Sequence, residues 1–351
     1  MKYKTDDLRI SGLQEVIPPE ELHREYPLSD AASETVRNTR QSIHEILHGT
    51  SGRFLVIVGP CSIHDSKAAR EYATRLKALI EELKEDLCIV MRIYFEKPRT
   101  TVGWKGLIND PHLDDSYNIN HGLRLARSLL LDVADMGVPA GTEYLDLISP
   151  QYISDLVSWG AIGARTTESQ GHRELASGLS CPVGFKNGTD GGLKIAVDAI
   201  QAATNPHVFM SLTKQGHSAI FSTTGNEDCH LILRGGKAPN YDASSVRQAI
   251  AQLQNGEQNP HVMIDCSHAN SQKDYTRQLE VCRNVSSQVK GGNKNIIGVM
   301  LESHLVEGRQ DITDSNNMVY GKSVTDACIS WDETETLLRE LAKAVHVRNG
   351  V

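Results

Sequence analysis

The chain has 351 residues, enough for one large α/β barrel or for two ordinary domains. Its 36 basic and 44 acidic side chains leave a net charge of −8, which argues against a general nucleic-acid-binding protein. The seven cysteines are an odd number without close spacing, which favours reduced thiols over a disulfide framework. Asp6 and Asp7 do not fit a signal peptide, and no apolar run approaches the ~20 residues of a membrane span, so we expect a cytoplasmic protein without membrane contact.

The first 48 residues are predicted to form an arm outside the main unit, which covers residues 49–351. Pro18, Pro19 and Pro27 interrupt this arm. The apolar spacing over residues 31–47 predicts one helix at its end.

From residue 54 onward, short apolar runs alternate with amphipathic segments. Strands are predicted over residues 54–58, 88–95, 138–144, 161–165, 183–186, 208–212, 261–265 and 296–301. Helices are predicted over residues 68–83, 119–136, 192–203, 243–253, 274–289 and 333–347. Near-continuous apolar strands separated by helices are typical of a parallel sheet that is buried on both faces.

Eight such units predict an α/β fold, a closed (β/α)8 TIM barrel. The alternative, an open doubly wound sheet, is disfavoured because no Gly-x-Gly-x-x-Gly turn follows the first strand. A typical barrel needs about 250 residues, so the excess length is assigned to the N-terminal extension and to an inserted β-hairpin at about residues 211–234. The hairpin strands are expected at 219–222 and 230–233, around a turn at Gly225 and Asn226.

Basic side chains occur repeatedly where the predicted strands end, which is the face where barrels of this kind place their active sites. They are Arg92, Lys97, Arg99, Lys105, Arg165, Lys186 and Arg234. So many like charges at one rim are costly unless anions neutralise them, and arginine binds phosphate or carboxylate oxygens in pairs. The sequence therefore predicts a site for one or two small, multiply charged anions.

A second set of residues near strand ends has the chemistry of metal ligands. It comprises Cys61, His268, Glu302 and Asp326. Thiolate, imidazole and carboxylate all bind divalent transition metals. No close-spaced motif such as Cys-x-x-Cys links them, and a single cysteine is often a small buried apolar residue. The residues by themselves leave a metal site and ordinary core roles both open.

Several longer motifs are more specific. They are Gly59-Pro60-Cys61-Ser62-Ile63-His64-Asp65, Ile264-Asp265-Cys266-Ser267-His268-Ala269-Asn270, and residues 94–100, 103–108, 159–169, 182–190, 233–237 and 321–326. Together they resemble the 3-deoxy-D-arabino-heptulosonate 7-phosphate (DAHP) synthase family, in its class with an N-terminal extension. The resemblance covers essentially the whole chain. It implies condensation of phosphoenolpyruvate with erythrose 4-phosphate, with release of phosphate, as the first step of the shikimate pathway.

The resemblance also assigns roles to residues. It implies one divalent metal ion per subunit (Mn²⁺, Fe²⁺, Co²⁺ or Zn²⁺) on Cys61, His268, Glu302 and Asp326. It implies that phosphoenolpyruvate binds to Arg92, Lys97, Lys186, Arg165, Arg234 and the backbone N–H of Ala164. It implies that erythrose 4-phosphate binds to Arg99 and Thr100. Glu143 is expected beside the two substrates. Lys97 is expected to assist as a proton donor while the metal acts as a Lewis acid on the aldehyde, so Lys97 and the metal ligands Cys61, His268 and Asp326 are the expected catalytic residues.

In this class the arm and the hairpin are expected to form a feedback-inhibitor pocket for an aromatic amino acid and to contribute subunit contacts in a homodimer or homotetramer. The candidate pocket residues are Asp6, Asp7, Asp146, Leu147, Pro150, Gln151, Leu175, Leu179, Ser180, Phe209, Ser211 and Phe221. Ser211 resembles phenylalanine-sensitive members, whereas Phe221 is bulkier than expected and could alter selectivity. The alternative is that both segments only cover the barrel surface.

Two other functions remain as alternatives to DAHP synthesis. One is the sister synthase that makes 3-deoxy-D-manno-octulosonate 8-phosphate from a five-carbon sugar phosphate, which residues 97–100, the arm and the hairpin disfavour. The other is an inactive barrel that only senses amino acids. Because Cys328 lies two residues after Asp326, we also expect that oxidation in the absence of metal could link Cys328 to Cys61.

Overall fold

The computed structural model describes residues 3–312 and 317–350. In chain order its strands are β1 (Phe54–Gly59), β2 (Leu87–Arg92), β3 (Ala140–Glu143), β4 (Trp159–Ile162), β5 (Val183–Lys186), β6 (Val208–Leu212), β7 (Ser218–Ser222), β8 (Cys229–Leu233), β9 (Val262–Asp265), β10 (Ile296–Glu302), β11 (Val306–Arg309) and β12 (Lys322–Ser323). Eight of them close into a barrel in the order β1-β10-β9-β8-β5-β4-β3-β2. Every neighbouring pair is parallel, and β1 pairs with β10 to close the ring. The predicted (β/α)8 barrel is confirmed.

The helices cover the outside of the barrel and one of its ends. They are α1 (Pro19–Glu25), α2 (Asp30–Leu47), α3 (Ser66–Leu83), α4 (Ile119–Asp135), α5 (Pro150–Ile153), α6 (Gln170–Gly178), α7 (Lys194–Ala203), α8 (Ala243–Asn255), α9 (Gln278–Lys290) and α10 (Trp331–Asn349). Helices α1, α5 and α6 were not predicted, because few turns give little periodicity. Within the described ranges, no helix combines the length and the apolar character needed to cross a bilayer.

The starts of the longer helices follow from local side-chain chemistry. Ser29 precedes α2, and its hydroxyl accepts a hydrogen bond from the N–H of Ala32 at 3.0 Å. Ser330 and Glu333 form a reciprocal capping box at the start of α10. These caps satisfy backbone donors that have no partner inside the helix, so the sequence specifies where each helix begins.

Helix α2 closes the end of the barrel where the strands begin, which we call the barrel floor. Along β1, Val56 and Val58 pack toward the outer helices, whereas Leu55 and Ile57 face the interior. The interior cluster takes in three apolar side chains of α2, namely Ile43, Ile46 and Leu47. The carbonyl of Leu47 also accepts a 2.6 Å hydrogen bond from Asn259, which lies just before β9. Helix α2 is therefore part of the barrel core.

The inserted hairpin lies earlier in the chain than predicted. β6 and β7 pair antiparallel, whereas residues 229–233, expected to be a hairpin strand, form the sixth strand of the barrel between β5 and β9. The assignment of residues 208–212 to the barrel and of the hairpin to about 211–234 is therefore wrong. All of β8 is buried, as a barrel strand must be, while Val208 and Met210 of β6 are exposed.

Gly225 and the buried Asn226 form a link between β7 and β8 and not a hairpin turn. Gly225 has a φ of +89°, and a side chain there would meet the carbonyl oxygen of Thr204 at 2.2 Å. The amide of Asn226 donates to the carbonyls of Ala176 and Cys181 at 3.1 and 3.0 Å. A Gly-Asn pair is a typical turn signal, but here the glycine permits close backbone approach and the asparagine satisfies buried carbonyls.

Replacing Ile43 by Ala tests the packing of α2 into the barrel floor. Ile43 is fully buried, so the cavity should lower the free energy of unfolding by about 2–4 kcal/mol. Thermal and urea denaturation followed by circular dichroism measure this loss. Glu34→Ala, at an exposed position of the same helix, is the control and should change stability by less than about 0.5 kcal/mol. An Ile43→Ala variant as stable as the unmodified chain would show that α2 does not plug the barrel.

Candidate active site

The side chains expected from the strand-end pattern converge at the end of the barrel opposite α2. Those that end a barrel strand or follow it within three positions are Cys61, Arg92, Glu143, Arg165, Lys186, Arg234, His268 and Glu302. Because parallel strands of one barrel end at the same rim, residues far apart in sequence become neighbours. The corrected topology places Arg234 directly after β8, so a barrel strand and not a hairpin positions it.

Three of the expected metal ligands form a compact group of donors. The Sγ of Cys61 and carboxylate oxygens of Glu302 and Asp326 all lie within 4.8 Å of one another. His268 lies at the edge of this group, with its Nε2 3.9 Å from Oε1 of Glu302. Its Nδ1 is 2.8 Å from Oδ2 of Asp265, which orients the ring as carboxylates commonly orient metal-binding histidines. One sulfur, one imidazole and two carboxylates fit a divalent transition metal.

The surroundings of Cys61 favour a neutral thiol in the absence of a further cation. Burial and the carboxylate of Glu302 raise the pKa of the Cys61 thiol to about 11, although Lys97 opposes this. The Nζ of Lys97 lies 3.1 Å from the sulfur, and the N–H of Asp326 donates to it at 3.4 Å. A metal ion among these donors would stabilise the thiolate, because it counteracts both burial and the neighbouring negative charges.

Glu302 is a fully buried carboxylate that its neighbours keep ionised. Nη2 of Arg92 lies 3.0 Å from Oε1, and the hydroxyl of Ser267 donates to Oε2 at 2.9 Å. Burial alone would raise the pKa of Glu302, but His268 and Arg92 outweigh it and lower the pKa to about 2. The backbone of Glu302 is fixed by two hydrogen bonds with the amide of Gln278, at 2.8 and 3.0 Å.

Asp265 is a site residue that sequence reasoning missed. Its Oδ2 lies 3.0 Å from Nζ of Lys186 as well as close to His268. Burial opposes ionisation of Asp265, yet His268 and Lys186 hold its pKa well below the ordinary value. Asp265 ends β9, so the strand-end pattern could have included it. Gln278 offered no such signal, because its role depends on where α9 packs.

A polar pocket of about 140 Å³ adjoins the donor group. It is lined by Arg92, Lys97, Pro98, Arg99, Glu143, Gly163, Ala164, Arg165, Thr166, Lys186, Thr189, Arg234, His268 and Asp326. The structure thus brings together every expected substrate-binding residue except Thr100, which is exposed and does not line this pocket. Lys105 is also exposed and lies outside it.

The charges of this pocket are only partly neutralised by the protein. Arg92 and Lys186 are paired with buried carboxylates. In the described part of the chain, Arg99, Arg165 and Arg234 form no ion pair with a carboxylate, although all three line the pocket. Unpaired guanidinium groups in a small concave site attract phosphate and carboxylate groups and can bind each of them through two hydrogen bonds.

A tight turn after β4 shapes one wall of the pocket. The N–H groups of Thr166 and Thr167 both donate to the carbonyl of Gly163 at 2.9 Å. A side chain at position 163 would meet Oε1 of Glu143 at 2.4 Å, so it would displace that carboxylate from its place beside the turn. The turn leaves Ala164 and Arg165 on the pocket wall, as expected for groups that bind an anion.

Cys328 lies close to the donor group. Its thiol is buried, forms no disulfide, and lies 3.6 Å from the carbonyl oxygen of Asp326. Burial and the nearby Cys61 raise the pKa of Cys328 well above the ordinary value. An oxidative link between Cys61 and Cys328 stays a prediction.

A separate cavity of about 320 Å³, the hairpin cavity, lies between the hairpin and the α6 region. It is lined by Leu147, Ile148, Gly171, Glu174, Leu175, Phe209, Met210, Ser211, Leu212 and Ser218. Four of the expected inhibitor-binding residues are therefore together here, namely Leu147, Leu175, Phe209 and Ser211. Phe221 pairs with Phe209 across the hairpin, and their ring centroids lie 6.2 Å apart.

The other expected inhibitor-binding residues surround the hairpin cavity less closely. Asp146 accepts hydrogen bonds from the N–H groups of Ile148 and Ser149 at 2.6 and 2.8 Å, just before α5, which contains Pro150 and Gln151. The carbonyl of Gln151 accepts a hydrogen bond from Lys214 of the hairpin. Leu179 and Ser180 follow α6, and Ser180 lines a different groove. Asp6 and Asp7 are exposed in the arm and do not line the cavity.

Comparison with known proteins agrees with this architecture. A model of the DAHP synthetase I family matches residues 27–339. The phospho-2-dehydro-3-deoxyheptonate aldolase of Escherichia coli K12 described as Phe-sensitive is 61% identical over 350 residues, covering 100% of both chains. The enzyme described as Trp-sensitive from the same organism is 53% identical and covers 98% of this chain and 99% of its own.

The fold comparison gives the same result. The solved structure of the phospho-2-dehydro-3-deoxyheptonate aldolase from Francisella tularensis SCHU S4 matches with a TM-score of 0.95 and 54% identity, covering 97% of this chain and 99% of that chain. The resemblance drawn from the sequence motifs is thereby confirmed. With a family match over most of its length and full-length relatives above half identity, the chain belongs to the DAHP synthetase I family.

Proposed function

We propose that this chain is a DAHP synthase, which joins phosphoenolpyruvate to erythrose 4-phosphate and releases phosphate in the first step of aromatic amino acid biosynthesis. The observation that carries the proposal is a pocket with unpaired guanidinium groups directly beside a donor group of Cys61, Glu302 and Asp326. This pairing suits a reaction in which a phosphorylated anion meets a polarised carbonyl group. The similarity to enzymes described as phospho-2-dehydro-3-deoxyheptonate aldolases supports the same reaction.

One divalent metal ion is assigned to Cys61, His268, Glu302 and Asp326. The mixed sulfur, nitrogen and oxygen donors suit Mn²⁺, Fe²⁺, Co²⁺ or Zn²⁺. When bound, such an ion supplies Lewis-acid polarisation of an aldehyde oxygen. The two carboxylates and the thiolate offset its charge, and Asp265 keeps the imidazole of His268 oriented.

Phosphoenolpyruvate is assigned to the cationic part of the pocket. Its phosphate and carboxylate groups match the unpaired guanidinium groups of Arg165 and Arg234, with Arg92, Lys186 and the N–H of Ala164 adding further donors. Arg99 and Thr100 lie farther out and are assigned to the phosphate of erythrose 4-phosphate. Holding two anions side by side offsets their repulsion and lowers the entropic cost of a bimolecular step.

Lys97 is assigned to proton transfer. Burial disfavours its ammonium form, but Cys61 and Glu302 outweigh burial and raise the pKa of Lys97, so it carries a proton. C3 of phosphoenolpyruvate attacks the aldehyde carbon of erythrose 4-phosphate, and the ammonium group of Lys97 donates a proton to the aldehyde oxygen. Water then adds at C2, and phosphate leaves by cleavage of the C2–O bond, which yields the keto group of the product.

A two-substrate assay tests this function. The full chain with phosphoenolpyruvate should release phosphate when erythrose 4-phosphate is added and not when arabinose 5-phosphate is added. Phosphate release and product mass are both measured. Preference for arabinose 5-phosphate would indicate an octulosonate synthase, and no turnover with either sugar by the metal-loaded chain would indicate an amino-acid-sensing barrel without catalytic function.

Replacing Cys61 by Ala tests the metal assignment. Loss of the thiolate should weaken metal binding and reduce kcat/KM by at least about a thousandfold, since Lewis-acid catalysis supplies several kcal/mol. Steady-state kinetics and metal analysis after dialysis measure both effects. Cys88→Ala is the matched control, because Cys88 is also buried but lies at the start of β2, near the barrel floor. Full turnover by a metal-stripped Cys61→Ala protein would refute the assignment.

We further propose that an aromatic amino acid, phenylalanine, binds in the hairpin cavity and inhibits the enzyme. Leu147, Leu175 and Phe209 offer apolar surface, and Ser211 offers a hydroxyl in the same cavity. The N–H of Glu20 in α1 donates to the carbonyl of Lys214 at 2.7 Å, so the arm also holds the hairpin turn. The similarity to an enzyme described as Phe-sensitive favours phenylalanine over the other aromatic amino acids.

Inhibition assays with phenylalanine, tyrosine and tryptophan test this proposal, and phenylalanine should inhibit most strongly. Ser211→Ala should raise the phenylalanine concentration for half-inhibition about tenfold, because one polar partner is lost, while kcat and both KM values stay unchanged. Ser222→Ala, at the exposed end of β7, is the control and should keep full sensitivity. No response to any of the three amino acids would contradict the regulatory role of the hairpin.

Homodimers or homotetramers are proposed to form through the arm and the hairpin. Both segments expose large apolar side chains, namely Leu8, Ile10, Leu13, Val208, Met210 and Ile220. Apolar side chains that would be covered in an oligomer are expected at a protein–protein interface. The seven unpaired, buried cysteines fit a reducing compartment such as the cytosol.

A further inference from the structure

Two histidines of α2 and one aspartate of the barrel meet at the barrel floor. His44 and His48 are spaced four residues apart, so they lie on the same side of the helix. Asp228 lies directly before β8. His44, His48 and Asp228 each offer one ligand atom, and these three atoms lie within 4.8 Å of one another. We call these three residues the floor cluster.

The geometry of the floor cluster is that of a carboxylate faced by two imidazoles. Nδ1 of His44 lies 2.8 Å from Oδ1 of Asp228, and Nε2 of His48 lies 3.0 Å from the same oxygen. The centroids of the two imidazole rings lie 4.1 Å apart. Ligand atoms of a tetrahedral Zn²⁺ site, each about 2.0 Å from the metal, lie roughly 3.3 Å from one another. Because the three atoms lie within 4.8 Å of one another, side-chain movements on the order of 1 Å would place them around one ion.

The backbone that carries the floor cluster is held firmly on both sides. The N–H of His48 donates to the carbonyl of His44 at 2.9 Å, so the helical spacing persists to the end of α2. The N–H of Asp228 donates to the side chain of Asn226 at 3.1 Å, and the carbonyl of Asp228 accepts from Val183 at 3.2 Å. Preorganised ligands lose little entropy when a metal binds.

The floor cluster is accessible from solvent and lies apart from the catalytic rim. The side chains of His44, His48 and Asp228 are 34%, 35% and 19% exposed, and a groove of about 990 Å³ reaches His44 and Asp228. Asp228 precedes β8, whereas Arg234 follows it, so about 20 Å of strand separates the two ends. A metal bound here would not share ligands with the donor group of Cys61.

A third imidazole lies near the floor cluster. His261 lies one residue before β9, and its Nδ1 is buried without a hydrogen-bond partner in the described structure. Burial lowers the pKa of His261, and the nearby His48 lowers it further.

We propose that His44, His48 and Asp228 form a second metal site that binds a divalent transition metal of the Zn²⁺ type. Two imidazoles and one carboxylate are a common ligand set for Zn²⁺, with water able to take the fourth position. The site joins α2, which plugs the barrel floor, to the edge of β8. Its occupation therefore ties the arm to the barrel and stabilises the folded chain.

Co²⁺ titration of the metal-stripped full chain separates the two sites. Co²⁺ bound beside Cys61 gives a near-ultraviolet thiolate charge-transfer band, whereas Co²⁺ on two imidazoles and a carboxylate gives only visible d–d bands. We expect two equivalents of bound Co²⁺ in the unmodified chain. His44→Gln and His48→Gln should each keep the thiolate band and raise the Kd of the second equivalent by at least about tenfold, since even indirect ligand partners contribute that much.

His217→Gln is the matched control, because His217 is exposed on the hairpin and belongs to neither site. It should bind two equivalents with unchanged Kd values. The proposal would be overturned if the unmodified chain bound a single equivalent of Co²⁺. It would also be overturned if His48→Gln bound two equivalents with the same Kd values as the unmodified chain. If the unmodified chain showed the visible d–d bands but no thiolate band, the catalytic metal assignment would be contradicted and the floor site would stay supported.

Thermal unfolding gives a second readout of the floor site. With the catalytic site already occupied, Zn²⁺ at about 100 times its Kd should raise the Tm of the unmodified chain by about 4 °C. The His48→Gln chain should show no such rise. An equal rise in both chains would contradict a site on His48.

Discussion

A parallel barrel brings the ends of all its strands to one rim, and in this protein that rim collects more positive than negative side chains. The fully buried Arg92 cannot lose its proton, so the structure needs an ionised carboxylate beside it. Glu302 supplies that charge, and the same pairing directs its second oxygen to Ser267 and places it within the donor group. Asp265 acts in the same way for Lys186 and His268. Arg99, Arg165 and Arg234 form no ion pair within residues 3–312 and 317–350, so their guanidinium groups give the pocket an attraction for anions.

The barrel and most of its rim could be predicted from the sequence. Apolar strand runs and helical spacing are local properties, and the rule that strand ends share a rim turns them into a site. The compact donor group could not be predicted from spacing, because Cys61 and Asp326 are separated by 265 positions. Only the motif resemblance suggested that these residues meet. The contact of Gln278 with the backbone of Glu302 could not be predicted for a related reason, because it depends on where α9 packs against the barrel.

The hairpin shows where local patterns are insufficient. Residues 208–212 and 229–233 are both five-residue apolar runs, and a Gly-Asn pair precedes the second. The difference between them is whether both faces are covered, which depends on the neighbours that the fold supplies. Exposed Val208 and Met210 belong to a two-stranded sheet, and buried Leu231 belongs to the barrel. The two ends of the barrel also differ, since the apolar side chains of α2 pack at one end and the charged side chains lie at the other.

Closure of the ring between β1 and β10 sets the order in which the active site can appear during synthesis. Leu55 pairs with Gly298, so β1 can pair with its second neighbour, β10, only after most of the chain has been synthesised. Partners so distant in sequence give a high contact order, which slows folding and leaves strand edges uncovered on a growing chain. The donor group likewise draws on both ends of the sequence. A nascent or truncated chain therefore lacks the donor group of Cys61, Glu302 and Asp326 as well as the closed barrel, so the complete site forms only with complete folding.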